Sequence, residues 1–186
     1  LVHYSKSIRH IQFRYCNLVS TTHNVNQFLS FPMKHIQRLS MVWTDFSDMA
    51  MSQLLSCLPD LTMIDLGPNH NRIRTANESA LTALTQHCFH LHHLAVSLQH
   101  IEEETLCDVL LFYGHHLTLL SIRCVSPRTL DVVAQFCPRV LQLTLQAVHS
   151  TTTAGTVAML QILQQCRHLQ SLELSGWLIQ DIPSIV

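Results

Sequence analysis

The densest group of side chains able to do chemistry is His87-Cys88-Phe89-His90-Leu91-His92-His93, five potential metal ligands in seven residues, with His115-His116 further along. Zinc would require several of them to converge on one ion. Seven cysteines are spread along the chain, and no C-x-x-C pair occurs among them. Cys88, Cys137 and Cys166 stand roughly a repeat apart, so a small buried hydrophobe in a column is the better reading than a metal ligand. Glu102-Glu103-Glu104 offers carboxylates for acid–base work, but three acids in a row also suit a helix start, where the macrodipole favours anions. Asp45 and Asp48 read as residues at the start of a helix. Neither a Gly-x-Ser-x-Gly elbow nor a phosphate-binding Gly-rich loop is present, and only four glycines occur. No catalytic residue, no metal ligand set and no cofactor is expected, and the chain does not read as an enzyme.

The elements that carry these residues follow a repeat. One phrase recurs: apolar, two variable, apolar, one variable, apolar. It reads Ile8–Ile11–Phe13, Ile36–Leu39–Met41, Leu61–Ile64–Leu66, Leu91–Leu94–Val96, Leu117–Leu120–Ile122, Val140–Leu143–Leu145 and Leu169–Leu172–Leu174. The intervals are 28, 25, 30, 26, 23 and 29 residues, a mean near 27. Each phrase ends in strict alternation, the mark of a short strand with one buried face. Between phrases, Met51/Leu54/Leu58, Leu81/Leu84/Cys88, Leu130/Val133/Cys137 and Met159/Ile162/Cys166 recur at helical spacing.

Strands are expected to begin near Ile8, Ile36, Leu61, Leu91, Leu117, Val140 and Leu169. Helices are expected near 47–57, 78–87, 102–113, 127–136 and 156–165, with segment 20–31 better suited to caps and turns. Ser126 with Pro127 makes a helix start, Asn77 another, and Gly114 suits a helix C-terminal turn. The fold class is α/β: a leucine-rich-repeat solenoid, or horseshoe, of about seven repeats, with parallel strands on the concave face and helices on the convex face. The expected domain is single, residues 1–186. Its apolar tail, 177–186, would then belong to a longer solenoid, because terminal repeats need polar caps.

Composition supports a globular protein, with 47% hydrophobic and only 12% charged residues and a net charge of −1. That balance favours neither nucleic acid nor an anionic membrane as partner. No apolar stretch is long enough to cross a bilayer, and the first residues do not form a signal peptide. An odd, scattered cysteine set points to free thiols in a reducing compartment, the cytoplasm or nucleus.

Cys137-Pro138-Arg139-Val140-Leu141-Gln142-Leu143-Thr144-Leu145 carries a closer likeness. It resembles the cysteine-containing leucine-rich repeats of F-box proteins, whose units tend to read Cys-Pro-x-Leu-x-x-Leu-x-Leu. Cys88 to Leu94 and Cys166 to Leu172 match without the Pro, and Leu58-Pro59-Asp60-Leu61 keeps the Pro without the Cys. The loop position favouring Cys or Asn holds Cys16 and Asn69 but Thr44, Gln99, Val125, Val148 and Trp177 elsewhere. The resemblance implies the substrate-recognition part of an SCF-type, cullin-RING ubiquitin ligase receptor. A ligase adaptor would dock only through an F-box, and every segment here is already assigned to a repeat. The alternative is a free-standing repeat scaffold or inhibitor, similar to ribonuclease-inhibitor-like proteins, with no ligase role.

Alternation assigns the residues that face a protein partner from the concave side: Arg14, Arg38, Asp65, His93, Arg123, Gln142, Gln146 and Glu173. Arg14 and Arg38, on adjoining strands, are expected to grip one acidic segment together. Gly67, Ala95 and Ser97 would let a partner approach closely. Trp43 and Trp177, in loops after strands, read either as rim anchors or as edge closures. Lys6-Ser7, Lys34-His35, Pro59-Asp60, Phe89-His90, His115-His116, Pro138-Arg139 and Arg167-His168 form a ridge before the phrases, expected to follow helix C-termini. The alternative is a ridge that becomes cationic below about pH 6.5.

Overall fold

The computed structural model describes residues 7–16, 33–42, 44, 46–67, 78–97, 101–123, 125–147 and 153–177. The expectations for segment 20–31, Trp43, Asp45, Asn69, Asn77, Gln99, Val148 and the tail beyond Trp177 lie outside the described residues.

The chain is α/β. Its strands are β1 His10–Arg14, β2 Arg38–Val42, β3 Met63–Leu66, β4 His93–Ser97, β5 Leu119–Arg123, β6 Gln142–Gln146 and β7 Ser171–Ser175. They form an all-parallel sheet in chain order. The described helices are α1 Asp48–Ser56, α2 Glu78–His87, α3 Glu103–Tyr113, α4 Pro127–Phe136 and α5 Thr153–Gln165. The chain divides into two compact units, Leu1–His93 and Leu94–Val186.

Every strand starts two residues later than its phrase. The opening residues Ile36, Leu61, Leu91, Leu117 and Val140 are buried in the approach to the strand, at 0–1% exposure, and plug the turn. The strands are held in register by a recurring pair of bonds. Gln37 and Arg38 N–H both donate to Arg9 O, at 2.8 and 3.0 Å; Thr62 and Met63 donate to Gln37 O; His92 and His93 donate to Thr62 O. In the second unit Leu141 and Gln142 donate to Thr118 O, and Gln170 and Ser171 to Leu141 O. Two donors on one carbonyl use both of its lone pairs.

In the first unit the inward residues Leu39, Met41, Ile64 and Leu66 are 0–3% exposed, together with Met51 and Leu54 on α1, Leu58 just after it, and Leu81 and Leu84 on α2. Ser47 caps α1, its hydroxyl accepting from Ala50 N–H at 3.3 Å. Phe13 on β1 meets Phe46 edge-on at 5.5 Å. In the second unit Leu120, Ile122, Leu143 and Leu145 bury against Leu130, Val133, Met159 and Ile162.

Ser126 accepts from Thr129 N–H at 3.2 Å with Pro127 opening α4, as the sequence predicts. Glu103 and Glu104 occupy the first turn of α3. Glu103 also accepts from the hydroxyls of Ser126 and Thr129, which stitches the starts of α3 and α4 together and satisfies a Thr129 that is fully buried.

One helix boundary is corrected: α5 begins three residues before 156. Gly114 closes α3, as expected, with a right-handed backbone at φ −52°. Glycine is needed there for space, because a Cβ would collide with the carbonyl oxygens of Phe136 and Leu110.

Candidate protein-binding face

Purely parallel sheets normally bury both faces under helices. These strands bury the inward positions most deeply, and Ser40 on β2 is the one buried outward residue among those described. The other outward positions are exposed or half-buried and carry mostly polar and charged side chains, with Val42, Met63, Ala95 and Leu119 apolar. All eight residues expected to face a partner lie on outward positions.

In the first unit Arg14 and Arg38 are exposed, and Asp65 and His93 are half-buried. The register refines the expected arginine pair. Arg38 stands opposite His10 and Arg14 opposite Val42, so the two guanidinium groups start four residues apart along their strands. At about 3.3 Å per residue, that is roughly 13 Å. A single partner segment would reach both only by crossing the strands obliquely. Gln12, with its amide oxygen turned toward Arg14, accepts from Nε and Nη2 at 3.0 and 3.1 Å and holds the guanidinium over β1.

Arg38 has different company. His93 has its pKa lowered, chiefly by burial and then by electrostatic repulsion from His92 and Arg38, so its charged form is disfavoured. Asp65 accepts from Ser40 Oγ at 3.4 Å, a long bond that tethers the carboxylate between strands. Gly67, expected to open a path to a partner, is buried against Val42 and Asp65, so it does not line the surface. Ala95 and Ser97 are half-buried.

In the second unit Gln142, Gln146 and Glu173 are exposed and Arg123 is half-buried. Arg123 stands opposite Gln146, and Gln142 opposite Leu119 and Ser171. Glu173 accepts from Thr144 Oγ1 at 3.5 Å, on the opposite strand. The indole N–H of Trp177 donates to Leu145 O at 3.3 Å, which ties this tryptophan to β6 and favours edge closure over the rim-anchor reading.

The histidine tract is dispersed. His87 ends α2, Cys88 is buried, His90 and His92 are exposed, and His93 is outward on β4. Among the described residues no three His, Cys, Asp or Glu side chains gather as a metal site. The cysteine column does more than fill space. Cys88 Sγ donates to Leu55 O and Leu58 O at 3.7 and 3.4 Å, and Cys166 Sγ donates to Cys137 O at 3.4 Å. Each thiol thus adds a weak second donor to carbonyls at the end of the preceding helix that already accept from backbone N–H groups. Burial pushes Cys88 up to about 12, and burial, then the neighbouring Cys166, does the same to Cys137. Such thiols are not nucleophiles at neutral pH.

The ridge residues His35, Asp60, His90, His116, Arg139 and His168 all lie in turns ahead of strands, and all but half-buried His35 are exposed.

Among the described residues no helix is long and apolar enough to cross a membrane. Comparison with protein-family models found no match, and comparison with curated proteins found none either.

Proposed function

We propose that this chain is a protein-binding leucine-rich-repeat module that grips its partner with the outward face of its strands. The observation that carries this reading is a parallel sheet left uncovered on one face, with long polar side chains on that face and a saturated apolar core beneath it. The recurring two-donor bonds and the thiol–carbonyl column support a repeat architecture, a solenoid of horseshoe type. The resemblance of the Cys-Pro-x-Leu phrases supports the finer reading: the substrate-recognition part of an SCF-type ubiquitin ligase receptor, working without cofactor in the cytoplasm or nucleus. Its protein substrate would lie across Arg14, Arg38, Asp65, His93, Arg123, Gln142, Gln146 and Glu173, and neither nucleic acid nor membrane is part of that role. A ligase adaptor would bind only through an F-box outside this chain.

The test is affinity purification of the full reading frame from its own cells, with ubiquitylation of co-purified proteins as readout. The proposal expects a cullin-RING adaptor in the complex and a substrate whose modification drops when Arg38 and Arg123 become Ala. Substrate binding without any adaptor would favour the free-standing scaffold. Binding that is indifferent to Arg38 and Arg123 but lost on Gln161→Ala, on exposed α5, would overturn the assignment of the face.

A further inference from the structure

Carbonyls just ahead of the strands accept two N–H groups each from the start of the next strand. Arg9 O, Gln37 O and Thr62 O do so in the first unit, and Thr118 O and Leu141 O in the second. Gln170 O is the next carbonyl in that series, and it accepts no hydrogen bond among the described residues. It stands ahead of β7, which pairs with β6 on one side and with no described strand on the other. Among the described residues β1 pairs with β2 alone, so it forms the opposite edge.

The apolar rows are unfinished at the same two edges. Leu39, Met41, Leu143 and Leu145 are 0–3% exposed. Their counterparts Ile11 and Phe13 on β1, and Leu172 and Leu174 on β7, are only half-buried, and Ile8 is 42% exposed. Trp177 does not change this: its indole is bonded to Leu145 O on β6, and Leu172 and Leu174 stay half-buried. An edge strand with open backbone groups beside an uncovered apolar row is a template for another strand.

We propose that β1 of a second copy of this chain docks in parallel beside β7 and continues the sheet from copy to copy. The register extends the one already present. Ser171 has Gln142 as its neighbour on one side and takes His10 of the second copy on the other. Gln170 O then accepts from His10 N–H of that copy, as Leu141 O accepts from Ser171 N–H. Ile11 lies against Leu172 and Phe13 against Leu174, which completes both apolar rows. Charge selects this orientation. Glu173 falls opposite Gln12, with Arg14 of the second copy a diagonal step away, within reach of long side chains. Pairing β7 with another β7 about its centre would instead oppose two Glu173 carboxylates, and pairing β1 with another β1 would leave Arg14 with no acid to meet. The contact is heterologous, so each added copy leaves an edge for the next. It is made by strand edges and does not depend on what the outward face binds.

The test is sedimentation velocity of the 186-residue chain over a range of concentrations. The mean mass should rise from one copy toward two and beyond as concentration increases. Arg14 and Glu173 are exposed, so Glu173→Arg and Arg14→Glu should each leave the circular dichroism unchanged. Each alone sets like charges across the contact and should raise the Kd of association by at least about tenfold. Mixing the two variants makes every contact between unlike copies complementary again and should restore association. If a reversal unfolds the chain, Glu173→Gln and Arg14→Gln serve instead, each expected to weaken association by about threefold or more. A chain that stays one copy throughout, association unmoved by either substitution, or a mixture of the reversed variants no stronger than its components would overturn the proposal.

Discussion

The outward positions of β1 and β2 carry His10, Gln12, Arg14 and Arg38, and the turns ahead of them add Arg9, Lys34 and His35. The outward positions of β6 and β7 carry Gln142, Thr144, Gln146, Ser171, Glu173 and Ser175. Beneath both, the inward rows are nearly interchangeable: Leu39 and Ile64 in the first unit, Leu120 and Leu143 in the second, all at 0–1% exposure. The contrast separates two kinds of information. The buried rows specify a strand and a helix again and again. The outward rows hold the chemistry that differs, cationic on β1 and β2 and mostly amide and hydroxyl on β6 and β7.

The largest effects should show the sameness of the cores. Ile64→Ala and Leu143→Ala should each cost about 2–5 kcal/mol in urea unfolding, because both delete buried branched side chains that cannot be refilled. Leu174→Ala, on half-exposed β7, should cost clearly less. A Leu143 variant as mild as the Leu174 variant would break the claim of a saturated core in the second unit.

The thiols sharpen the comparison further, since Cys88 and Cys137 belong to different units and share one environment. Both are raised from 9.0 to about 12 when folded. Between those values the unfolded chain releases the proton and the folded chain keeps it, so stability is whole below pH 9 and falls as pH rises toward 12. Each thiol should contribute roughly 1 kcal/mol per pH unit to that slope. Cys88→Ala and Cys137→Ala should each flatten the alkaline decline, measured by unfolding at pH 8, 9 and 10. A slope unchanged in both would refute their shared role.

Helix starts differ in a graded way. Ser47→Ala should cost about 0.5–1 kcal/mol, the worth of a simple cap. Ser126→Ala should cost more, about 1–2 kcal/mol, because its hydroxyl also serves Glu103. The smallest effect belongs to the exposed Arg128–Glu104 pair at 3.4 Å, where Glu104→Gln should change stability by less than about 0.5 kcal/mol.

Much of this architecture was legible in the residues. Alternation in Leu94-Ala95-Val96 and Leu172-Glu173-Leu174 determines which side chains must be buried, and Ser126-Pro127 announces a helix start by local chemistry alone. Strand starts were less legible. Ile36 or Leu61 is apolar in either role, and only the two-donor bonds to the preceding turn decide that it plugs the turn. The role of Cys88 and Cys166 as donors was hidden too, since their acceptors, Leu55 O, Leu58 O and Cys137 O, lie about thirty residues earlier. On the exposed face, types were predictable but neighbours were not. Arg14 and Arg38 stand on adjacent strands, and only the register shows that Arg38 faces His10.

The central claim is that the outward strand face, not the helical side, meets the partner. A photo-crosslinking amino acid placed singly at Arg38, Gln142 and Gln161, in the full reading frame within its own cells, tests it directly. The account predicts discrete covalent adducts from Arg38 and Gln142, on exposed strand positions, and none from Gln161 on α5. Adducts from Gln161 alone would contradict it.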